Sequence, residues 1–189
     1  MIVGITGGIG SGKSTVCKVL TAMGYEVYLS DQRGAYLMNN NRNVIESIIA
    51  LFGEESYTKG RLNNKYLASK VFGDKQQLLA LEKVVHPAVF EDFKSFASEH
   101  TDEIIFVESA ILFESGMDSL TDKIITISAP KELRIERVTR RDNANREQIE
   151  KRIDAQMSDS EREEKSDFTI HCNEQCSVIE SLLDVINRL

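Results

Sequence analysis

The feature that most constrains this chain is a glycine-rich loop near its start. Residues 7–14 read Gly-Gly-Ile-Gly-Ser-Gly-Lys-Ser and match the pattern Gly-x-x-x-x-Gly-Lys-Ser completely. Residues 1–6 are short, apolar and rich in β-branched side chains, which is typical of a buried parallel strand. Residues 15–23 carry apolar side chains at helical spacing and are followed by Gly24. This order of strand, loop and helix predicts a parallel α/β sheet with an anion site at the loop.

The loop predicts binding of a nucleoside triphosphate. Glycines let the backbone come close to an anion, where its N–H groups and the helix N-terminus favour phosphate. We expect Lys13 to reach the β- and γ-phosphates and the Ser14 hydroxyl to ligate Mg²⁺. The alternative is a glycine-rich turn that binds nothing, which requires the whole pattern to arise by chance. The predicted ATP-binding residues of the loop are Gly10, Ser11, Gly12, Lys13, Ser14 and Thr15.

Composition limits the kind of protein that this chain can form. Its 189 residues, 41% of them hydrophobic, suffice for one sizeable core with a small lid or inserted region. The net charge of −7 argues against nucleic acid or an acidic membrane surface as a partner. No apolar run approaches the roughly 20 residues that cross a bilayer, and Cys17, Cys172 and Cys176 are too few for a disulfide framework. We therefore expect a cytoplasmic protein that uses no membrane, and its oligomeric state stays open.

Alternating strands and helices predict the fold class. Strands are predicted over residues 1–6, 26–29, 104–107, 124–127 and 168–170. With helices between them, they predict a three-layer α/β/α fold on a five-stranded parallel sheet. The predicted single domain has a core of about residues 1–32, 100–130 and 166–189, an inserted helical substrate-binding region at about 33–99 and a helical lid at about 131–165.

Helical periodicity dominates the segment between the second and third strands. It predicts helices over residues 44–52, 65–72, 76–85 and 88–97. Pro87 is predicted to end one helix and begin the next, which would make His86 a cap or hinge residue. Later helices are predicted over residues 131–142, 146–157 and 177–189.

Two carboxylates follow predicted strands. In sheets of this kind, ligands bind beyond the carboxyl ends of the strands. Asp31 follows the second strand and is a candidate catalytic base that accepts or orients the proton of an acceptor hydroxyl; the alternative is a helix N-cap. Glu108 follows the third strand and is a candidate to organise Mg²⁺ through water, or to hold a backbone amide or a polar group of the substrate.

Arginines cluster in the predicted lid. Arg134, Arg137 and Arg141 fall at i, i+3 and i+7 on one helix face, and Arg140 is beside them. One interpretation is a solvent-exposed helix whose arginines pair with acidic side chains. We favour a lid that brings cations to the transferred phosphoryl group, because arginine stays ionised and binds phosphate in a bidentate manner. Arg141 is the predicted catalytic contact, and Arg140 is a second predicted ATP contact.

These segments together resemble the dephospho-coenzyme A kinase family over nearly the whole chain. The resemblance begins with residues 5–15 and continues through Ser30-Asp31, Gly60-Arg61-Leu62-Asn63 and His86-Pro87. It extends over residues 108–114, which end in Leu-Phe-Glu, the arginine-rich residues 136–156 and residues 166–173. The phosphate loop alone indicates only a kinase or NTPase, whereas this ordered set is far more specific.

The resemblance implies a P-loop kinase-like fold and ATP-dependent phosphorylation of the ribose 3′-hydroxyl of dephospho-coenzyme A, with Mg²⁺. This reaction is the last step of coenzyme A synthesis. The resemblance also implies that Asp31 faces the hydroxyl and that the inserted helices, including His86, help to hold the acceptor. The chain departs from the family at Leu29-Ser30-Asp31, where Asp-x-Asp is frequent, and at Glu108, where an aspartate is common. Asp31 is therefore the sole base candidate after the second strand.

Three other functions share parts of this pattern. Another small-molecule or nucleoside kinase would keep the loop and the lid but use a different acceptor. Residues 31–34, Asp-Gln-Arg-Gly, match the Asp-x-x-Gly pattern of nucleotide-dependent switches, but the chain has no Asn-Lys-x-Asp motif for guanine. A non-catalytic nucleotide-binding module would bind nucleotide without acceptor-dependent turnover.

Overall fold

The chain divides into two units in the computed structural model, which describes residues 1–143, 145–173 and 177–189. Unit 1 consists of Met1–Leu29 with His100–Leu189, and unit 2 consists of Ser30–Glu99. Cys176 lies outside the described residues. In the ranges that the structure describes, no helix combines the length and the apolar character that crossing a membrane requires.

The elements follow one another in a regular alternation in unit 1, and unit 2 is mostly helical. In chain order they are β1 (Ile2–Thr6), α1 (Lys13–Ala22), β2 (Glu26–Leu29), α2 (Ser30–Asn40), α3 (Arg42–Phe52), β3 (Tyr57–Thr58), β4 (Arg61–Leu62), α4 (Asn64–Val71), α5 (Lys75–Ser98), β5 (Ile105–Glu108), β6 (Lys123–Ser128), α6 (Lys131–Asp142), α7 (Arg146–Asp154), α8 (Asp159–Lys165), β7 (Phe168–His171) and α9 (Val178–Ile186). Short 3₁₀ turns occupy Glu54–Ser56 and Met117–Leu120.

Unit 1 is built on a five-stranded parallel sheet in the order β2-β5-β1-β6-β7. The central strand β1 lies between β5 and β6, so that Ile5 pairs with Glu108 on one side and with Ile125 on the other. The short apolar, β-branched segments form these strands because a parallel sheet is covered on both faces. All five predicted strands are confirmed, with each bound within one residue of its prediction.

Helices cover both faces of the sheet. On one face, Leu20 of α1 and Leu182 of α9 pack in the same buried cluster as Ile125. Side chains alternate along a strand, so Thr126 points to the opposite face. There its hydroxyl donates to the carbonyl of Arg162 in α8 at 3.4 Å. The three-layer α/β/α prediction is confirmed.

The helical segment after β6 contains one helix more than expected. The predicted helix over residues 146–157 ends at Asp154, and α8 begins at Asp159. Ser158 and Glu161 form a capping box at the start of α8, with each side chain bonded to the other residue's backbone N–H. The Ser-x-x-Glu spacing is the sequence signal for this helix.

Unit 2 encloses its own small core. Val44, Ile48 and Phe52 of α3 pack with Leu62 and Leu67 in one buried cluster. The sequence analysis did not predict the hairpin of β3 and β4, whose two-residue turn contains Lys59 and Gly60 at φ 53° and 75°. Positive φ at both positions is the mark of the type I′ turn that favours hairpins, and glycine adopts it without a steric penalty.

The predicted break at Pro87 is wrong, because α5 runs through it as one helix. His86 is therefore a mid-helix residue and neither a cap nor a hinge. Val84 before the proline and Ala88 after it both pack on the core of unit 2, and Phe93 is buried further along. The apolar face is thus continuous across Pro87, and its packing outweighs the one hydrogen bond that proline removes.

Candidate active site

The glycine-rich loop connects β1 to α1 at the carboxyl edge of the sheet. Gly12 precedes the first residue of α1 with a positive φ of 113°. Among the described residues, no side chain caps this helix N-terminus. The first N–H groups of a helix then point at the loop, and together with the helix dipole they form a ready phosphate site.

Lys13 and Glu108 are two predicted site residues that the structure brings together. The Lys13 ammonium donates to the carbonyl of Gly7 at 2.9 Å and lies 3.8 Å from Oε1 of Glu108. Both residues are about nine-tenths buried, with 9% exposure each. Glu108 reaches this position because β5 pairs with β1 and ends beside the loop. These contacts hold the Lys13 ammonium at the loop.

The Cys17 thiol lies one helical turn after Lys13, and the charges of Lys13 and Glu108 both affect its pKa. Burial is the main cause that raises the pKa of Cys17 to about 12; the Glu108 carboxylate contributes in the same direction, and the Lys13 ammonium opposes it. Cys17 is therefore a protonated, buried core residue at neutral pH.

Hydroxyl groups surround the loop in two different settings. Ser14 and Thr15 are exposed at the start of α1. Thr6 and Ser11 are fully buried, and their hydroxyl oxygens have no hydrogen-bond partner in the part of the chain that the structure describes. Buried polar groups are usually paired, so these two oxygens add unused hydrogen-bonding capacity at the base of the loop.

The four lid arginines separate into two pairs. Arg134 and Arg137 contact the loop: Arg134 Nε donates to the carbonyl of Ile9 at 2.9 Å, and Arg137 Nη1 lies 3.3 Å from the carbonyl of Ser11. Arg140 and Arg141 are exposed. Their partners are Glu136, at 2.7 Å from Arg140, and Asp142, at 2.6 and 2.9 Å from Arg141. The sequence analysis placed all four in the lid but gave Arg134 and Arg137 no role.

Asp31 and His86 belong to unit 2. Asp31 is exposed and is the second residue of α2, within its first turn, so it is not the residue that precedes the helix. His86 is half-buried in the middle of α5. Within the same unit, Arg33 makes a bidentate ion pair with Asp92 at 2.8 and 2.6 Å, which ties α2 to α5.

The described residues contain no group of three or more histidine, cysteine, aspartate or glutamate side chains that could hold a metal ion. Of the predicted site residues, Gly10 to Thr15 lie in the loop and at the start of α1, and Glu108 lies at the end of the adjacent strand.

Comparison with known families covers most of the chain. The model of the family described as dephospho-CoA kinase matches residues 1–177. The chain belongs to the dephospho-CoA kinase family. Two relatives carry that family name: the protein of Bacteroides fragilis is 41% identical over 97% of this chain and 90% of its own length, and that of Fusobacterium nucleatum is 39% identical over 100% and 96%.

Solved structures agree with the family. The crystal structure of TT1252 from Thermus thermophilus is 34% identical, with a TM-score of 0.89 over 100% of this chain and 96% of its own. A dephospho-CoA kinase from Campylobacter jejuni is 27% identical, with a TM-score of 0.73 over 99% and 96%. A shikimate kinase from Acinetobacter baumannii, at 14% identity and a TM-score of 0.57, shares the fold alone.

Proposed function

We propose that this protein transfers the γ-phosphoryl group of ATP to the ribose 3′-hydroxyl of dephospho-coenzyme A, giving coenzyme A and ADP. The observation that carries the proposal is the match of residues 1–177 to the dephospho-CoA kinase family. It is supported by a complete phosphate loop pattern whose lysine, Lys13, is buried. The product would be the end point of coenzyme A synthesis.

The loop residues Gly10 to Thr15 are proposed to bind the phosphates of ATP. Their backbone N–H groups and the uncapped start of α1 favour the negative charge. We assign Lys13 to the transferred phosphoryl group, where its ammonium offsets the charge that accumulates on the equatorial oxygens. To do so, Lys13 exchanges the Gly7 carbonyl and the Glu108 carboxylate for phosphate oxygens.

The donors at the loop fit Mg²⁺, which prefers oxygen ligands, few of them from the protein, and keeps several waters. We assign the exposed Ser14 hydroxyl as the direct protein ligand and Glu108 as a residue that holds a ligating water or a polar group of the substrate. When bound, Mg²⁺ neutralises charge on the β- and γ-phosphates.

Asp31 is proposed as the base that accepts the proton of the ribose 3′-hydroxyl. Leu29 pairs with Glu108 at the carboxyl end of β2, and Asp31 follows two residues later, where substrates of such sheets bind. Its exposed carboxylate is accessible to a substrate hydroxyl. His86 of α5 is proposed to help hold the acceptor. Arg140 and Arg141 are proposed to leave their acidic partners and contact ATP when the lid closes.

The acceptor is tested by ADP release with ATP and Mg²⁺, with and without dephospho-coenzyme A, beside a panel of nucleosides and nucleoside monophosphates. We expect stimulation by dephospho-coenzyme A alone and a product heavier by one phosphate. If only another acceptor stimulates ADP release, dephospho-coenzyme A is not the substrate and the protein is a different small-molecule kinase. Nucleotide binding without stimulation by any acceptor would indicate a binding module.

Variants then test the assigned residues. Lys13→Ala is expected to reduce kcat by about a hundredfold or more, because the cation on the transferred group is lost, whereas Lys18→Ala on the exposed side of α1 is the matched control. Asp31→Asn is expected to reduce kcat and leave the KM for ATP nearly unchanged, with the exposed Asp102→Asn as its control. Loss of ATP binding in Asp31→Asn would contradict its role as a base.

A further inference from the structure

Arg134 stands out because it is a buried cation that contacts the phosphate loop and has no role in the proposed phosphoryl transfer. Its side chain is 2% exposed. Nε donates to the carbonyl of Ile9 at 2.9 Å, and Nη1 donates to the carboxylate of Asp159. The guanidinium also lies against Gly8, since a Cβ at Gly8 would be 2.1 Å from Nη2. The loop backbone and this side chain are therefore fitted to each other.

The charge of Arg134 is already compensated. Asp159 also accepts a hydrogen bond from the buried Arg162 at 3.3 Å, and Arg162 pairs with Glu114 at 3.4 Å. Two arginines thus face two carboxylates, with no net charge in the cluster. Because this cluster is neutral as a whole, we attribute the role of Arg134 to its contacts with the loop backbone and not to its charge.

Ile9 of the loop is bound through both of its backbone polar groups. The N–H of Ile9 donates to Oε1 of Gln156 at 2.9 Å, while its carbonyl accepts from Arg134. Both backbone polar groups of Ile9 are thus bound by side chains from residues 134–156. Two residues further on, the N–H of Ser11 donates to the carbonyl of Gly8 at 3.1 Å. These bonds fix the orientation of the peptide planes that lead into the phosphate-binding turn.

We propose that Arg134 is a positioning residue that sets the conformation of the phosphate loop for nucleotide binding, with Asp159 orienting its guanidinium. The proposal rests on the proposed function only in taking the loop as the nucleotide site. Preorganised backbone donors bind an anion more tightly because they lose less conformational freedom on binding. Arg134 would act through Ile9 and Gly8 without touching the phosphates.

The test measures Mg·ADP affinity by titration calorimetry, with no acceptor present. Arg134→Met keeps the length of the side chain and removes the guanidinium; we expect about a tenfold weaker affinity, the size of one lost charge-assisted hydrogen bond. Asp159→Asn is the milder variant and should weaken the affinity by about threefold in the same direction. Arg162→Met is the matched control, a buried arginine of the same cluster that does not contact the loop, and should bind within about twofold of wild type.

Two further readouts separate positioning from general stability and from charge. With the acceptor added, Arg134→Met should raise the KM for ATP and leave the KM for the acceptor unchanged. Arg134→Lys keeps the charge but cannot reach both Ile9 and Asp159, so most of the loss should remain.

Wild-type affinity in Arg134→Met, or in Arg134→Lys, would overturn the proposal, as would an equal loss in Arg162→Met. If Arg134→Met fails to fold, Asp159→Asn decides: unchanged affinity in that variant overturns the proposal. Because the nucleotide titration contains no acceptor, its outcome does not depend on whether dephospho-coenzyme A is the substrate.

Discussion

Replacing Glu108 by glutamine tests how the ion pair with Glu108 affects nucleotide binding by Lys13. The substitution keeps the size of the side chain and removes the charge that lies 3.8 Å from the Lys13 ammonium. Two unit charges at this distance attract each other by about 4 kcal/mol at an effective dielectric constant of about 20. Loss of hydration offsets much of that attraction in a buried pair. A net of roughly 1.4 kcal/mol, or a factor of about ten in an equilibrium constant, is a reasonable expectation.

The direction of the effect depends on the metal. Without Mg²⁺, phosphate oxygens must take Lys13 from Glu108 and must also approach a carboxylate. Glu108→Gln should therefore bind ADP about tenfold more tightly than wild type in the presence of a chelator. With Mg²⁺, the loss of a carboxylate that holds a metal-bound water should reduce this gain or reverse it.

The assay is titration calorimetry of ADP with EDTA and with excess Mg²⁺, for wild type, Glu108→Gln and the exposed control Glu26→Gln. The control should bind as wild type does under both conditions. Unchanged or weaker metal-free binding in Glu108→Gln would refute the reasoning, because it would mean that the ion pair does not compete with the nucleotide for Lys13.

Three other outcomes are expected. The pKa of Cys17 rises from 9.0 to about 12 on folding. Its contribution to the free energy of unfolding is therefore complete below pH 9 and is lost as the pH rises toward 12. Urea unfolding at a series of pH values would detect this loss, and a stability independent of pH in this range would contradict it. Ile48→Ala, at a fully buried site, should lower the free energy of unfolding by about 2–5 kcal/mol, whereas Leu51→Ala, 48% exposed, should change it by far less. Gly8→Ala should weaken ADP binding in titration calorimetry and lower the free energy of unfolding, because the new methyl group would lie 2.1 Å from the buried Arg134 guanidinium and displace it from Asp159; unchanged ADP affinity would contradict it.

The sheet of unit 1 could be predicted because its signal is local. Each strand is a short apolar run, and β1 is tied to a loop pattern that itself requires a strand before it and a helix after it. The hairpin of β3 and β4 escaped prediction because two-residue strands are too short to show a period of two. The continuity of α5 across Pro87 could not be predicted, since it depends on tertiary packing of Val84 and Ala88 that no local rule contains.

The candidate site divides in the same way. Lys13 follows from the loop pattern, and its proximity to Glu108 follows because the loop comes after β1 and Glu108 ends the neighbouring strand β5. The spacing of the lid arginines correctly predicted that they lie on one helix, but it did not predict which of them pack against the loop. Arg134 and Arg141 share a helical face, yet only the packing of α6 against the loop decides that the first is buried and the second exposed.

The discontinuity of unit 1 determines the order in which its strands can pair while the chain is being synthesised. Ile2 pairs with Ile105, and Val3 pairs with Lys123, so β1 waits for more than a hundred residues before either neighbour exists. At about 5–20 residues per second, this delay is on the order of 5–20 s. Unit 2, a continuous segment, can bury its core during that interval. The apolar strand before the phosphate loop is therefore synthesised well before both of its neighbours and paired late, so it needs protection from aggregation in the nascent chain.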